Sequence, residues 1–299
     1  MKFQGQHDNV MCSVTNNMQL AYSTNAFTKT DLVSALDSIA SIGFRGAEIL
    51  CDKPHWFVSD LAEHEIAAVA ALLADRGLAV SNLNANTTNG YWHPAPPENV
   101  FEPSLCNPDP VLRQWRQQYT IDTIQLASRL GAACVSVTSG NARPGCPPDN
   151  CLELLVDSLL RICDAAARHG IKVGIEYEPG LLLECATEVH EVLERVGSPD
   201  LGVNLDIGHS YVYGENPEQA IALLKDRIWN VHVEDIRNRK HYHLVPGDGN
   251  LPFSRYIDAL RANGYQGFLT VEVYTFPDQA VEVGRRSLDY LAKLLQFRS

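Results

Sequence analysis

Residues 149–176 read DNCLELLVDSLLRICDAAARHGIKVGIE. A helical pattern runs to His169, Gly170 stops it, and Ile171 to Ile175 forms a short apolar strand ending at Glu176. Glycine at the stop supplies the left-handed conformation that closes a helix. The same punctuation recurs at Ile42-Gly43, Arg76-Gly77, Leu130-Gly131 and Asn263-Gly264. Short runs rich in Val, Ile and Leu follow: Ala47 to Leu50, Leu78 to Leu83 and Ala133 to Val137. Such runs suit a parallel sheet buried on both faces. With Met18 to Tyr22 and the strands ending at Asp206, His232 and Glu272, the count is about eight strands alternating with about eight helices. The pattern predicts helices over 30–44, 60–76, 109–130, 149–169, 185–196, 217–225, 253–263 and 277–297.

This alternation predicts a (β/α)8 TIM barrel, which takes about 250 residues plus insertions. An open doubly wound sheet would carry a glycine-rich phosphate loop after an early strand, and the chain has no G-x-G-x-x-G or P-loop. The long segments 85–108, 139–149 and 235–252 all follow strands, whereas helix-to-strand turns are tight. In a barrel those segments share the C-terminal face, where active sites form. The expected organisation is a loosely ordered start over 1–16 and one barrel domain over 17–299.

The chain has 299 residues, 45% of them hydrophobic, enough for a sizeable core. A net charge of -12 and a pI near 5.2 argue against a binder of nucleic-acid phosphates, which needs a basic face. The eight cysteines contain no C-x-x-C pair and no zinc-finger spacing; they read as free thiols, with Cys146 and Cys151 closest together in sequence. The first residues have no apolar signal core and no run is long enough to span a membrane, so a soluble cytoplasmic protein is expected.

Four strands end on ligand-type residues: Ile171 to Glu176, Leu201 to Asp206, Ile228 to His232 and Phe268 to Glu272. Burying an unpaired ion is costly, so charges at the same relative position in four strands point to a site. Three carboxylates and one imidazole suit a single divalent cation: Mn²⁺, Mg²⁺, Co²⁺ or Zn²⁺. His209 follows Asp206 by three residues, placed to bind substrate or a second metal. Asp235 and Arg237 lie beyond His232, and His241-Tyr-His243 precedes the tight turn Pro246-Gly-Asp-Gly249. The polar stretch Ala85 to His93 is a candidate wall, with aromatic Tyr91 and Trp92 available to stack on a ligand. The expected substrate contacts are His209, Asp235, Arg237, His243, Trp92 and His93.

The set Ile175-Glu-Tyr-Glu-Pro179, Asp206-Ile-Gly-His209, Val231-His-Val-Glu-Asp235, Pro246 to Gly249 and Val271-Glu272 resembles the xylose isomerase-like TIM-barrel superfamily. That group includes ketose 3-epimerases, hydroxypyruvate isomerase, inosose dehydratase, 3-dehydroshikimate dehydratase and the endonuclease IV nucleases. The resemblance implies that Glu176, Asp206, His232 and Glu272 hold the metal, that Glu176 and Glu272 also move protons, and that His209 contacts a substrate oxygen. It implies a metal-dependent isomerase or epimerase acting on a small polyhydroxy carbonyl compound through an ene-diolate. A dehydratase is the first alternative; a nuclease or a non-catalytic sugar-binding barrel comes after it. The expected partner is a small sugar-like molecule, with no nucleic acid or membrane, and homo-oligomerisation is left open. The chain departs from the ketose 3-epimerases at residue 238, which is Asn where they place an arginine, and in its longer loop from Arg237 to Gly247. His241 and His243 fall roughly where the nucleases carry an Asp-x-His pair for further metals.

Overall fold

The computed structural model describes residues 18–97 and 100–296; the segment expected to be loosely ordered lies outside them. Eight parallel strands close into a barrel: β1 (Gln19–Ser23), β2 (Gly46–Leu50), β3 (Ala79–Asn84), β4 (Cys134–Thr138), β5 (Lys172–Glu176), β6 (Leu201–Asp206), β7 (Ile228–Val233) and, after a hairpin, β10 (Phe268–Val271), which pairs with β1. The hairpin is β8 (Asp235–Arg237) with β9 (Lys240–Leu244), an antiparallel pair turned at Asn238 and Arg239, both at positive φ.

The surrounding helices are α1 (Leu32–Ile42), α2 (Glu63–Arg76), α3 (Pro110–Leu130), α4 (Pro148–His169), α5 (Ala186–Val196), α6 (Ile207–Tyr213), α7 (Pro217–Leu224), α8 (Phe253–Ala262) and α9 (Ala280–Gln296). Eight lie where the periodicity places them. The short α6 was not anticipated, because it begins on the turn directly after β6. Asp206 caps it by accepting a hydrogen bond from the backbone N–H of His209 at 2.8 Å. Gly170 closes α4 at φ +65°. The buried face of α5 is Ala186, Val189, Val192, Leu193 and Val196, the stripe a 3.6-residue period predicts. Burying one such valine or leucine is worth about 1.5–3 kcal/mol, so a charge at Val192 would weaken the helix's packing by at least that amount.

The two faces of the strands differ. Outward residues are aliphatic and pack beneath the helices. Several lumen residues are polar: Asn82, Ser136, Asn204, Asn230 and Thr270 are all inaccessible to solvent. They satisfy one another, since Asn230 Nδ2 donates to Asn204 Oδ1 (2.7 Å) and Thr270 Oγ1 to Asn230 Oδ1 (2.9 Å). Strand side chains alternate with period two. The same lumen rows therefore continue upward as Asn204–Asp206, Asn230–His232 and Thr270–Glu272, and Asp206, His232 and Thr270 are register partners. Gly174 sits below Glu176 because a Cβ there would lie 2.8 Å from the backbone nitrogen of Asn204.

Candidate metal centre

At the C-terminal mouth, one ligand atom from each of Glu176, Asp206, His232 and Glu272 falls within 4.8 Å of the others. All four residues are buried. His232 Nδ1 faces Glu176 Oε2 at 3.0 Å and Glu272 Oε2 at 3.5 Å. Its Nε2 lies 2.6 Å from Glu48 Oε2 on the far side of the ring. With an ion bound, a ring N–H donated to Glu48 would leave Nδ1, on the side of the carboxylates, as the ligand atom, the arrangement in which a second carboxylate orients a metal-binding histidine. Glu48 is the residue sequence reasoning missed. Its signal was present, a carboxylate inside an apolar strand, but it stands in the middle of β2 rather than at the strand's end.

Asparagines fix the two glutamates. Asn86 donates to Glu176 Oε2 at 3.0 Å and Asn204 donates to the same oxygen. Asn25 and Asn84 donate to Glu272 Oε1 at 2.7 and 3.3 Å. In each carboxylate, one oxygen takes both amides and the other faces the cavity groups. The amides belong to separate loops and strands, so nothing in the linear sequence marked them as partners.

The donors fit a cation. Asp206 Oδ2 and both oxygens of Glu234 are buried and find no N–H or hydroxyl donor among the described residues; the two carboxyls meet each other, and burial and Asp206 push Glu234 well above the usual carboxyl range. Burial favours the neutral form of Glu272, and Glu176, Glu48 and Asp206 add to this against the pull of His232, so its carboxyl lies well above the usual range. Burial works against charge on His232, but Glu272, Glu48 and Glu176 outweigh it and push the imidazole well above its ordinary value. Negative charge crowded around a buried centre is relieved by a positive ion there.

A cavity of about 470 Å³ opens above these residues, within the usual range for small-molecule sites. Its walls include Glu176, Glu178, His209, His243 and Glu272. Burial, with Glu176 and Asp206 nearby, raises Glu178 to about 7 despite His209. His209 Nδ1 meets the Tyr177 carbonyl at 3.1 Å, and its Nε2 lies 3.1 Å from His241 Nε2, which is 3.2 Å from His243 Nε2. Burial opposes charge on His209, but Asp206, Glu178 and Glu176 outweigh it and raise its pKa. Burial and the neighbouring His209 push His241 down to about 4 and His243 to about 3, with Asp206 pulling the other way.

The remaining expected contacts lie elsewhere. Asp235 is buried and accepts from the backbone N–H groups of Ile236 (2.8 Å), Gly247 (2.9 Å), Gly249 (2.8 Å) and Leu251 (3.0 Å). It organises the loop after the hairpin instead of facing the cavity. Arg237 is exposed and donates to the Asp248 carbonyl. Trp92 lines a neighbouring cavity, and His93 is exposed and lines neither. Seven cysteines are free thiols among the described residues, with the sulfurs of Cys146 and Cys151 3.1 Å apart. No helix among those residues is long and apolar enough to cross a membrane.

Comparison with known proteins bears on the fold and the family. The chain is 24% identical over 283 residues to the fructoselysine 3-epimerase of Shigella flexneri, covering 93% of this chain and 98% of that one. It is 26% identical over 288 residues to the 3-dehydroshikimate dehydratase of Pseudomonas putida, covering 93% of this chain and 41% of that longer one. A solved D-tagatose 3-epimerase-like protein superposes with a TM-score of 0.77 at 22% identity, over 94% of this chain and all (100%) of that one. Residues 36–294 match the family described as xylose isomerase-like TIM barrel, and the chain belongs to that family.

Proposed function

We propose that this protein is a divalent-metal-dependent isomerase or epimerase of a small sugar or related polyhydroxy carbonyl compound. The observation that carries the reading is the convergence of Glu176 and Glu272 on His232 Nδ1 from strands separated in the barrel by β6 and β7. Glu176, Asp206, His232 and Glu272 would hold the ion, which when bound supplies positive charge to a substrate carbonyl and an adjacent hydroxyl. The protein's own groups do the rest. One glutamate takes the proton from the carbon next to the carbonyl through its cavity-facing oxygen, while the paired amides keep its other oxygen in place. The second glutamate returns a proton to that carbon or its neighbour. His209 donates a hydrogen bond to a substrate oxygen, and the walls exclude water that would otherwise quench the carbanion.

In D₂O, the correct ketose should gain deuterium next to its carbonyl. Glu176→Gln and Glu272→Gln should each suppress that exchange at saturating metal. Exchange surviving in both variants would end this assignment. A dehydratase, suggested by the 26% likeness of this chain to part of the Pseudomonas enzyme, would instead lose a β-hydroxyl and give a product with new ultraviolet absorbance.

A further inference from the structure

A second cavity of about 380 Å³ lies beside the central one, and Phe101 lines both. It occupies the seam between the segments following β3 and β4, walled by Trp92, Val100, Phe101, Glu102, Asn141 and Arg143.

The walls are held. Trp92 Nε1 donates to the Glu102 carbonyl at 2.8 Å, and its ring meets Tyr91 edge-on at 5.1 Å. Tyr91 in turn packs against Trp115 at 4.6 Å. Gly140, at φ +78°, lets one segment press on the other, since a Cβ there would lie 2.2 Å from Ser104 Cβ. Asn141 is tied to the Gly180 carbonyl at 2.6 Å. A pocket ordered before binding spends little entropy on its ligand.

Its chemistry differs from that of the central cavity. Trp92 is 39% exposed, so its indole has surface free to cover a planar group. The Glu102 carboxylate already accepts from Ser104 N (2.9 Å), Ser104 Oγ (3.0 Å) and Asn107 Nδ2 (2.6 Å). Arg143 reaches that carboxylate only at 3.9 Å, beyond hydrogen-bond distance. A guanidinium held by its neighbouring carboxylate only as a loose ion pair, beside aromatic surface, suits an anionic oxygen group on a flat or apolar carrier.

We infer that this cavity is a distal subsite and that the substrate is an extended ketose. Its reacting end enters the central cavity. Its terminal substituent passes Phe101, lies on Trp92 and presents a carboxylate or phosphate to Arg143. The inference rests on the proposed reaction only for the identity of the reacting end.

The test uses Mn²⁺-loaded protein and the four D-2-ketohexoses. Each is offered free, as its 6-phosphate, as its 1-anilino-1-deoxy conjugate and as its 1-(4-carboxyanilino)-1-deoxy conjugate. Calorimetry reads binding, and deuterium incorporation is read separately on the same samples. At least one carboxyanilino conjugate should bind about tenfold or more tighter than its parent sugar, with the anilino form between them. Arg143→Ala should lower the carboxyanilino conjugate to the anilino value, and Trp92→Ala should lower both. A gain by the 6-phosphate alone, lost in Arg143→Ala, identifies phosphate as the anion. Failure of every conjugate and phosphate to exceed its parent overturns the subsite, as does a gain that survives both substitutions. Tight conjugate binding without exchange keeps the subsite and removes the proposed reaction. Exchange on free ketoses with no gain for any derivative does the reverse.

Discussion

Glu48 shows how one side chain sets the chemistry of another. With its carboxylate 2.6 Å from His232 Nε2, it would hold a proton on that nitrogen and leave Nδ1, which faces Glu176 and Glu272, as the atom that binds an ion. Glu48→Gln keeps an acceptor but removes the charge. It should weaken metal affinity about 10–100-fold with the fold retained, as chelator competition would report. An unchanged affinity would demote Glu48 to packing. His209 makes a contrasting case, since its ring lines the cavity while its backbone N–H donates to the Asp206 carboxylate that caps α6. His209→Ala should leave metal content near the wild-type value and lower kcat/KM about tenfold to a few hundredfold, the worth of one charge-assisted hydrogen bond of about 1.5–3 kcal/mol. Loss of the metal in this variant would make His209 a ligand instead.

At the scale of elements, buried polar groups fasten the long segments of the mouth. Asp235 gathers four backbone N–H groups, and Gly249 is needed because a Cβ there would lie 2.3 Å from Asp235 Oδ1. Asp235→Ala should cost about 3 kcal/mol, seen as a lower urea midpoint, because several buried donors lose one charged acceptor. His55 fastens the segment after β2 to the one after β1. Its Nε2 faces the carbonyls of Phe27 (3.2 Å) and Thr30 (3.1 Å), and its Nδ1 faces Thr24 Oγ1 (3.2 Å), which is the neutral ring's pattern. Burial lowers its pKa below the ordinary 6.5, against the opposing pull of those carbonyls and Asp31. A base with a depressed folded pKa is protonated first in the unfolded chain. Stability is therefore lost as pH falls below about 6.5, at a slope of up to about 1.4 kcal/mol per pH unit for one proton. With chelator present, His55→Gln should show a shallower decline between pH 7 and 5 than the wild type. Parallel profiles would refute the assignment.

For the whole molecule, the proposed ion would link the site to the stability of the fold. Four carboxylates, from Glu48, Glu176, Asp206 and Glu272, crowd one buried imidazole, so removing a bound cation restores their repulsion. Chelation should lower Tm by several degrees and added metal should restore it, since metal at 100 times its Kd contributes about 2.7 kcal/mol. The stoichiometry should be one ion per chain. It should stay there in the His241→Ala/His243→Ala double variant if those imidazoles serve substrate or solvent. A fall from about three ions to one would move the reading toward the nuclease-like branch.

The linear sequence determined the barrel and the four ligand-type residues for a local reason. Helix and strand periods, glycine stops and strand-end charges are all encoded within a few residues of one another, as in 149–176. Tertiary structure alone decided which polar residues meet. Glu48 and His232 are separated by 184 positions, and Asn84 and Glu272 by 188, yet each pair shares a hydrogen bond because the closed barrel turns every strand's lumen row toward one axis. It also separated residues that looked alike from the sequence. Asp235 and His243 both follow His232, but Asp235 turns its carboxylate onto its own loop while the β8–β9 hairpin brings His243 back beside Glu272, its Nδ1 2.8 Å from that residue's carbonyl. The hairpin's antiparallel pairing reverses the chain, and no periodicity within the segment announces where the returning strand will point.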